Sequence, residues 1–527
     1  MSLTKASFSM ITGSSANVLD YGADPTGVVD STAAFNLATL ATLPSTGIDQ
    51  LGILREIYVP AGIYLIAGTV YVRKGQQIRG AGEGSSQIRG PVPTPSTGRV
   101  TFKMGYGLIN GVEVYDTGGL CCVVSDLFFY GGDASGPSID CKVSGGQIQN
   151  CFFTSTGRAI QLDAGDCIVT NCIFDQGFEG IRVTGQNILI SQCIFYLMTN
   201  GILVLDKTYD IQINDCHFEY QLTEDISFES GATLIKNVQI ADCQFTKNAQ
   251  YVTSDYGIGI RSSNAEIQIR GCDFRNQRGF SIGAAAGFSN YIIVSDCSFN
   301  GLPTNPVYTS STTSSGIRTL NSTWEIINCL FVALDDVPVL IDGTTVNANV
   351  LIDGCRYEGC IGTTSFATIA ATNGTLQIYN TVGDNVLPLV DTQSAVAVTL
   401  RNNENWLGAD QTASSRRYWK LPTQKGALLT VGVTANPLSS GSAVYSNSSS
   451  VLAIRRVGNN AGTVTDYAVK NTVYQSSDAT VPVLDIALEL DSVGGGTSSP
   501  YVTADRNLVI SIPTSYTNYS INVDYQS

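Results

Sequence analysis

A short phrase recurs along the middle of the chain, and its period constrains what the chain can fold into. Nine cysteines at positions 151, 172, 193, 216, 243, 272, 297, 329 and 355 follow one another at intervals of 21, 21, 23, 27, 29, 25, 32 and 26. Around them the sequence reads IQNCFF from Ile148, IVTNCIF from Ile168, LISQCIF from Leu189, INDCHF from Ile213 and IADCQF from Ile240, then IRGCDF, VSDCSF, IINCLF and IDGCRY. Two residues after each cysteine stands an aromatic: Phe153, Phe174, Phe195, Phe218, Phe245, Phe274, Phe299, Phe331 or Tyr357. Alternate residues of a strand share a face, so cysteine and aromatic point the same way. The residue before each cysteine is Asn150, Asn171, Gln192, Asp215, Asp242, Gly271, Asp296, Asn328 or Gly354. All but Gln192 are types that readily accept positive φ, which marks a bend between two short strands. A third strand recurs as Gly-apolar-x-apolar, as in Gly180-Ile-Arg-Val183, Gly201-Ile-Leu-Val204 and Gly257-Ile-Gly-Ile260.

A period in the twenties is the signature of a solenoid. Three short strands per repeat and no helical period predict an all-β right-handed parallel β-helix, each strand about 4.8 Å above its counterpart. The ladder cysteines then read as small buried hydrophobes beside the rings rather than as metal ligands or nucleophiles. Cys121, Cys122, Cys141, Cys167 and Cys360 lie off this ladder. Upstream, an Asp-Pro-Thr-Gly turn precedes Asp30, which is placed to N-cap a short helix over residues 31–43 with Phe35, Ala38 and Leu37 or Leu40 as its apolar stripe. Such a helix caps the open end of a solenoid. Downstream the coil pattern fades, and five strand-like segments from Val451 to Val523, separated by Gly, Ser and Asn turns, predict a small antiparallel β-domain, a sandwich that serves trimerisation or glycan binding. The expected organisation is a tail over 1–17, the opening of the β-helix with its capping helix over 18–90, coils over 91–405 and the C-terminal domain over 406–527.

Composition removes several function classes. A net charge of −15 with a pI near 4.5 opposes binding to nucleic acid, which needs a basic footprint. One histidine among 527 residues leaves no His-rich zinc site, and a histidine triad would have to use His217, which reads as structural. No aspartate cluster suggests a metal, and no cofactor is expected. Gly80-Ala-Gly-Glu-Gly84 lacks the following helix that a dinucleotide site requires. No apolar run reaches the roughly 18 residues of a membrane span, so no membrane insertion is expected. Residues 1–18 carry no apolar signal-peptide core, so the expectation is synthesis in a cytoplasm without a signal peptide.

Residues 18–30 (VLDYGADPTGVVD), Ile57-Tyr-Val-Pro-Ala-Gly-Ile-Tyr64 and Ile78-Arg-Gly-Ala-Gly-Glu-Gly84 resemble, in order, the N-terminal signature of the pectate-lyase-like β-helix superfamily: V-x-D-(Y/F)-G-A, G-x-x-D before a helix, V-P-x-G-x-Y and a G-x-G step. MITGSSANVLDYGADPTGVVDST is similar in particular to bacteriophage tailspikes and capsule depolymerases. The resemblance covers about 90 residues and implies a homotrimer in a virion tail, joined to the phage tail or another tail fibre protein. It also implies action on a bacterial capsular or O-antigen polysaccharide.

Outward residues of successive coils form a long strip suited to an extended polymer. The position after each ladder aromatic reads Thr154, Asp175, Tyr196, Glu219, and the position before the third strand reads Arg158, Glu179, Asn200, Asp225, Tyr256. Acids thus recur two coils apart, at about 9.6 Å from strand spacing alone. Asp175 or Glu179 with Glu219 or Asp225 is the expected catalytic pair of a glycoside hydrolase, with an inverting separation of roughly 6.5–9.5 Å. Within one loop Glu219, Glu224 and Asp225 lie closer, which suits retention. Tyr196, Tyr220, Tyr251 and Tyr256 are candidates to stack on sugars, and Arg182 and Arg261 to hold anionic ones. A polysaccharide lyase using Arg182 with Tyr256 or Arg261 is the alternative, as is an adhesin that only grips glycan. A second acidic group, Asp335, Asp336, Asp342, Asp353 and Glu358, is the runner-up site.

Overall fold

A computed structural model describes residues 15–41, 56–90, 100–109, 112–115, 121–131, 136–205, 207–229, 234–247, 256–277, 279–284, 290–301, 314–342, 348–360, 366–369 and 374–383, together with backbone strands up to 526. The chain divides into two compact units, Met1–Ile267 and Gln268–Ser527. It is almost entirely β, and its coils are those of a right-handed parallel β-helix with three strands per turn.

In the first unit each coil contributes one strand to each of three parallel sheets. The coil around Cys193 supplies Gln186–Ser191, Ile194–Tyr196 and Asn200–Val204, and each strand pairs in parallel with its counterpart one coil on. Between the first and second strands the chain turns on the residue before the cysteine. All nine of these residues, Gln192 included, have φ between 51° and 65°. The bend is therefore the same whether or not the residue type favours it. Each ladder thiol sits just inside this bend and donates to the carbonyl two residues earlier, for example Cys193 Sγ to Ser191 O at 3.3 Å. That carbonyl already accepts from the Asn171 amide of the coil below, so the thiol occupies its second lone pair. Burial pushes the Cys172 and Cys193 thiols up, and none of the fourteen cysteines is in a disulfide.

The aromatic row is a column of parallel rings. Phe129, Phe153, Phe174, Phe195, Phe218 and Phe245 stack at centroid distances of 4.6–5.1 Å with planes within 9° of one another. The interior is completed by fully buried aliphatics from the third sheet, such as Ile181, Val183, Ile202 and Val204.

Asp30 accepts from the Thr32 amide at 3.0 Å, but the N-cap falls one residue later than expected, on Ser31, whose carbonyl accepts from the Phe35 amide and opens the helix Thr32–Ala41. Its buried face differs from the expected stripe. Ala34, Phe35, Ala38 and Thr39 point inward, while Leu37 and Leu40 are 51% and 47% exposed. The helix is docked through Phe35 edge-on to Tyr64 and through Asn36 to the backbone of Thr69 and Tyr71, which leaves the leucines on the far side. The preceding turn hangs on Asp24, whose carboxylate accepts from the amides of Val29, Thr26 and Val28 and from the Thr26 hydroxyl.

In the second unit, coils continue with the same three-strand plan, for example Thr323–Ile327, Leu330–Val332 and Val339–Asp342. Phe274, Phe299 and Phe331 form its ring column at 5.0 and 4.8 Å. Strand Ala397–Leu407 pairs in parallel with Gly374–Tyr379 and antiparallel with Tyr516–Gln526. It crosses residue 405 and hands the parallel ladder over to antiparallel pairing. Beyond it, Ala427–Pro437, Ser446–Gly458 and Val464–Gln475 pair antiparallel in sequence, and Arg416–Lys420, Asn507–Ser511 and Asp485–Ala487 form a second antiparallel sheet.

Two outcomes follow from this construction. Phe195→Ala or Phe218→Ala removes a ring stacked on both sides and is expected to cost about 3–5 kcal/mol in denaturant unfolding. Hydrogen bonds from Val29 and then Thr26 lower Asp24 to about 2 from its ordinary 3.8. Its stabilisation is present above the ordinary value and lost as pH falls through about 2. Amide exchange at Val29 should accelerate over that window, and Asp24→Asn should abolish the pH dependence.

Candidate functional site

The outward face of the third sheet in the first unit carries an open groove of about 640 Å³. It runs over four successive coils. Strand Glu179–Val183 supplies Glu179 and Arg182, Asn200–Val204 supplies Asn200 and Leu203, Ile226–Phe228 supplies Ser227, and Arg261 follows Tyr256–Ile260. Thr223 and Glu224 enter from the corner before the third of these strands, Leu205 adds apolar wall, and Glu229 lies at the rim.

Register determines which acids face the groove. Arg158, Glu179 and Asn200 are direct neighbours in successive coils. Ile202 pairs with Ile226 and Ile226 with Ile258, which puts Glu224 beside Asn200 and Tyr256 beside Glu224. The row thus reads Arg158, Glu179, Asn200, Glu224, Tyr256, and the expected alignment of Asp225 in it is corrected by one residue. Asp225 occupies instead the slot held by Gly180 and Gly201: its backbone N–H donates to Gly257 O, and the Ile202 N–H donates to Asp225 O. That slot faces inward: a Cβ on Gly180 would lie 2.8 Å from the Phe195 ring, and one on Gly201 2.9 Å from the Phe218 ring. Asp225 is accordingly fully buried, and Lys247 lies beside it.

Both groove carboxylates are almost fully buried and each is clamped by guanidinium groups. Glu179 accepts from Arg158 Nε at 2.6 Å and, in a two-point contact, from Arg182 Nε at 2.9 Å and Arg182 Nη2. Glu224 accepts from Arg261 through both terminal nitrogens, and the same Arg261 Nη1 reaches Ser227 Oγ at 3.2 Å. Thr223 donates to Asn200 Oδ1 and fixes the amide between the two acids. Glu179 and Glu224 lie two strand spacings apart, about 9.6 Å along the sheet. Gly259 makes room for the second: a Cβ there would fall 2.5 Å from Glu224 Cδ.

The other expected residues fall elsewhere. Asp175 and Glu219 end the second-sheet strands Ile173–Asp175 and His217–Glu219, two coils apart with Tyr196 between them. They are half-buried, are not in the groove lining, and Asp175 accepts from Thr154 Oγ1 at 3.2 Å. Tyr196 meets Tyr220 edge-on at 5.9 Å on that side. Tyr256 stands in the row beside Glu224 without lining the groove, and Tyr251 lies outside the described residues. Arg182 and Arg261 are both in the groove. The later acids take separate partners: Asp335 the Ser314 amide and hydroxyl, Asp336 the Ser315 hydroxyl, Asp342 Arg318 and Glu358 Arg356. Thr223 and Glu229 had no cue in the repeat, since both sit in segments that differ between coils. Among the described residues, no three metal-ligating side chains converge and no helix is long and apolar enough to cross a membrane.

Residues 110–299 match the family described as "Right handed beta helix region". No curated protein sequence matches the chain. Among solved structures, the fold is similar to the catalytic unit of a GH87 α-1,3-glucanase from Streptomyces thermodiastaticus, at 14% identity over 74% of this chain and 68% of that one, with a TM-score of 0.43. It is also similar to the A-module of the Azotobacter vinelandii mannuronan C-5 epimerase AlgE4, at 15% identity over 72% and 96%, with a TM-score of 0.46. A third likeness is to pre-mature bacteriophage phi29 gene product 12, at 12% identity over 96% and 90%, with a TM-score of 0.44.

Gly259→Ala tests the geometry of the second acid. The added methyl should push the Glu224 carboxylate off Arg261, and because that carboxylate is almost fully buried, unfolding stability should fall by about 3–5 kcal/mol. A melting temperature equal to that of the unsubstituted chain would show that the carboxylate stays on Arg261.

Proposed function

We propose that the chain is a bacteriophage tailspike that binds a bacterial capsular or O-antigen polysaccharide along the groove and hydrolyses it with Glu179 and Glu224. The observation that carries this reading is a pair of carboxylates two coils apart in the floor of an open groove on a parallel β-helix. Their separation of about 9.6 Å along the sheet, shortened by side-chain reach, suits an inverting mechanism with water on one side of the sugar. Glu179, held by Arg158 and Arg182, is the base that takes the water proton. Glu224 is held by Arg261 alone, whose side chain is 38% exposed against 15% and 26% for Arg158 and Arg182. A glycan displacing Arg261 leaves Glu224 to take up a proton and pass it to the glycosidic oxygen.

Lyase chemistry is less well supported, because it needs a cation for the substrate carboxylate and each groove arginine already faces a protein carboxylate. One observation favours a second reading, grip without cleavage: a carboxylate clamped by guanidinium donates no proton. The homotrimer and the tail attachment belong to the proposal through the N-terminal signature.

Purified chain incubated with host polysaccharide should release saturated reducing ends. Glu179→Gln and Glu224→Gln should each lower turnover by about 10²–10⁴-fold with the fold intact. Unsaturated products would replace hydrolysis by elimination, and binding without shortening would leave a glycan grip.

A further inference from the structure

Beneath the groove lie two side chains that the proposed chemistry leaves unused. Asp225 and Lys247 are 0% and 2% exposed, and Lys247 Nζ stands 3.4 Å from Asp225 Oδ1. Each departs from the coil repeat. Asp225 fills the inward slot that Gly180 and Gly201 hold. Lys247 stands at the corner where the preceding coils place Gln176, Leu197 and Tyr220 with positive φ, and it lacks that conformation. Two exceptions in successive coils thus meet in the interior.

Their contact does not have the geometry of a stable buried ion pair, which needs its charges hydrogen-bonded. Neither oxygen of Asp225 has a partner with good hydrogen-bond geometry, and Lys247 reaches Oδ1 only at the long distance of 3.4 Å. Lys247 Nζ spends its donors elsewhere, on Thr223 O at 2.7 Å and Gln221 O at 3.5 Å. A neutral amine has two N–H groups and a lone pair, so with both donors on carbonyls the lone pair remains for a third direction, where Asp225 lies. Burial supports the neutral forms of both partners: it raises Asp225 to about 7 and lowers Lys247. An uncharged amine is a nucleophile, an uncharged carboxyl group is an electrophile, and the fold holds them in contact, which replaces a bimolecular encounter.

We propose that Lys247 and Asp225 condense in the folded chain to an intramolecular isopeptide bond. The Nζ lone pair attacks Cγ of the protonated carboxyl, the new C–N bond forms, the C–OH bond breaks, and the amine proton leaves with the hydroxyl as water. No electron is gained or lost, and no co-reactant is required. The product removes two buried ionisable groups and ties the corner before Ile226–Phe228 to the end of strand Gln244–Thr246 in the next coil.

The test is the intact mass of the purified full-length chain, expected one water below the sequence mass, with a protease digest yielding a branched peptide that joins residues 225 and 247. Lys247→Arg keeps a cation without the nucleophile and should restore the full mass. Asp225→Asn should give the same mass as the wild type, because its amide leaves as ammonia and the bond formed is identical. A full sequence mass with both side chains free in the wild-type digest overturns the proposal. So does a water loss that persists in Lys247→Arg, since an aspartyl succinimide would survive that change. The wild-type digest decides the matter even if the variants fail to fold.

Discussion

One translation satisfies two interactions at once, and the coils depend on it. Parallel strands repeat at about 4.8 Å because their hydrogen bonds do, and face-to-face rings offset slightly from one another are comfortable at nearly the same distance. The Phe129 to Phe245 column, at 4.6–5.1 Å, therefore adds ring contact without bending the ladder. Each coil must bring the chain back to the same point beneath the same ring, whatever it does in between. The left-handed residue before the cysteine makes that return reproducible, and the thiol sits just inside the bend on the carbonyl two residues earlier.

The same constraint explains what could be read from residues alone. Interior positions repeat because the column forces them to, so the cysteine, the aromatic and the bend residue were all legible. Outward positions face solvent and follow no such rule. From sequence Asp225 reads as a groove acid because it precedes Ile226 as Glu179 precedes Gly180, but this coil has no glycine, and the aspartate stands in the glycine's place. The true groove residue is its neighbour Glu224. Asp175 and Glu219 show the expected two-coil spacing on the second sheet, whereas the groove belongs to the third. Lys247 gave no signal, since a lysine in a variable loop reads as solvated; its cue was a broken repeat on each side of one coil boundary.

The groove reverses the character of the chain that carries it. Charged residues make up only 14% of the sequence and acids outnumber bases, yet Arg158, Arg182 and Arg261 converge on Glu179 and Glu224. Burying those carboxylates without the guanidinium groups would be prohibitive, so the arginines are a condition of the acids being there. Around them Asn200, Thr223 and Ser227 offer neutral hydrogen-bonding groups of the kind that match sugar hydroxyls.

The ladder thiols have a consequence for observing the molecule. Each ladder cysteine from Cys151 to Cys355 is a buried thiol placed just inside its bend. The rate at which a thiol reagent reaches each one reports how often that coil opens. Within each unit the ladder thiols are built-in probes from which the order in which its coils open can be read without introducing a label.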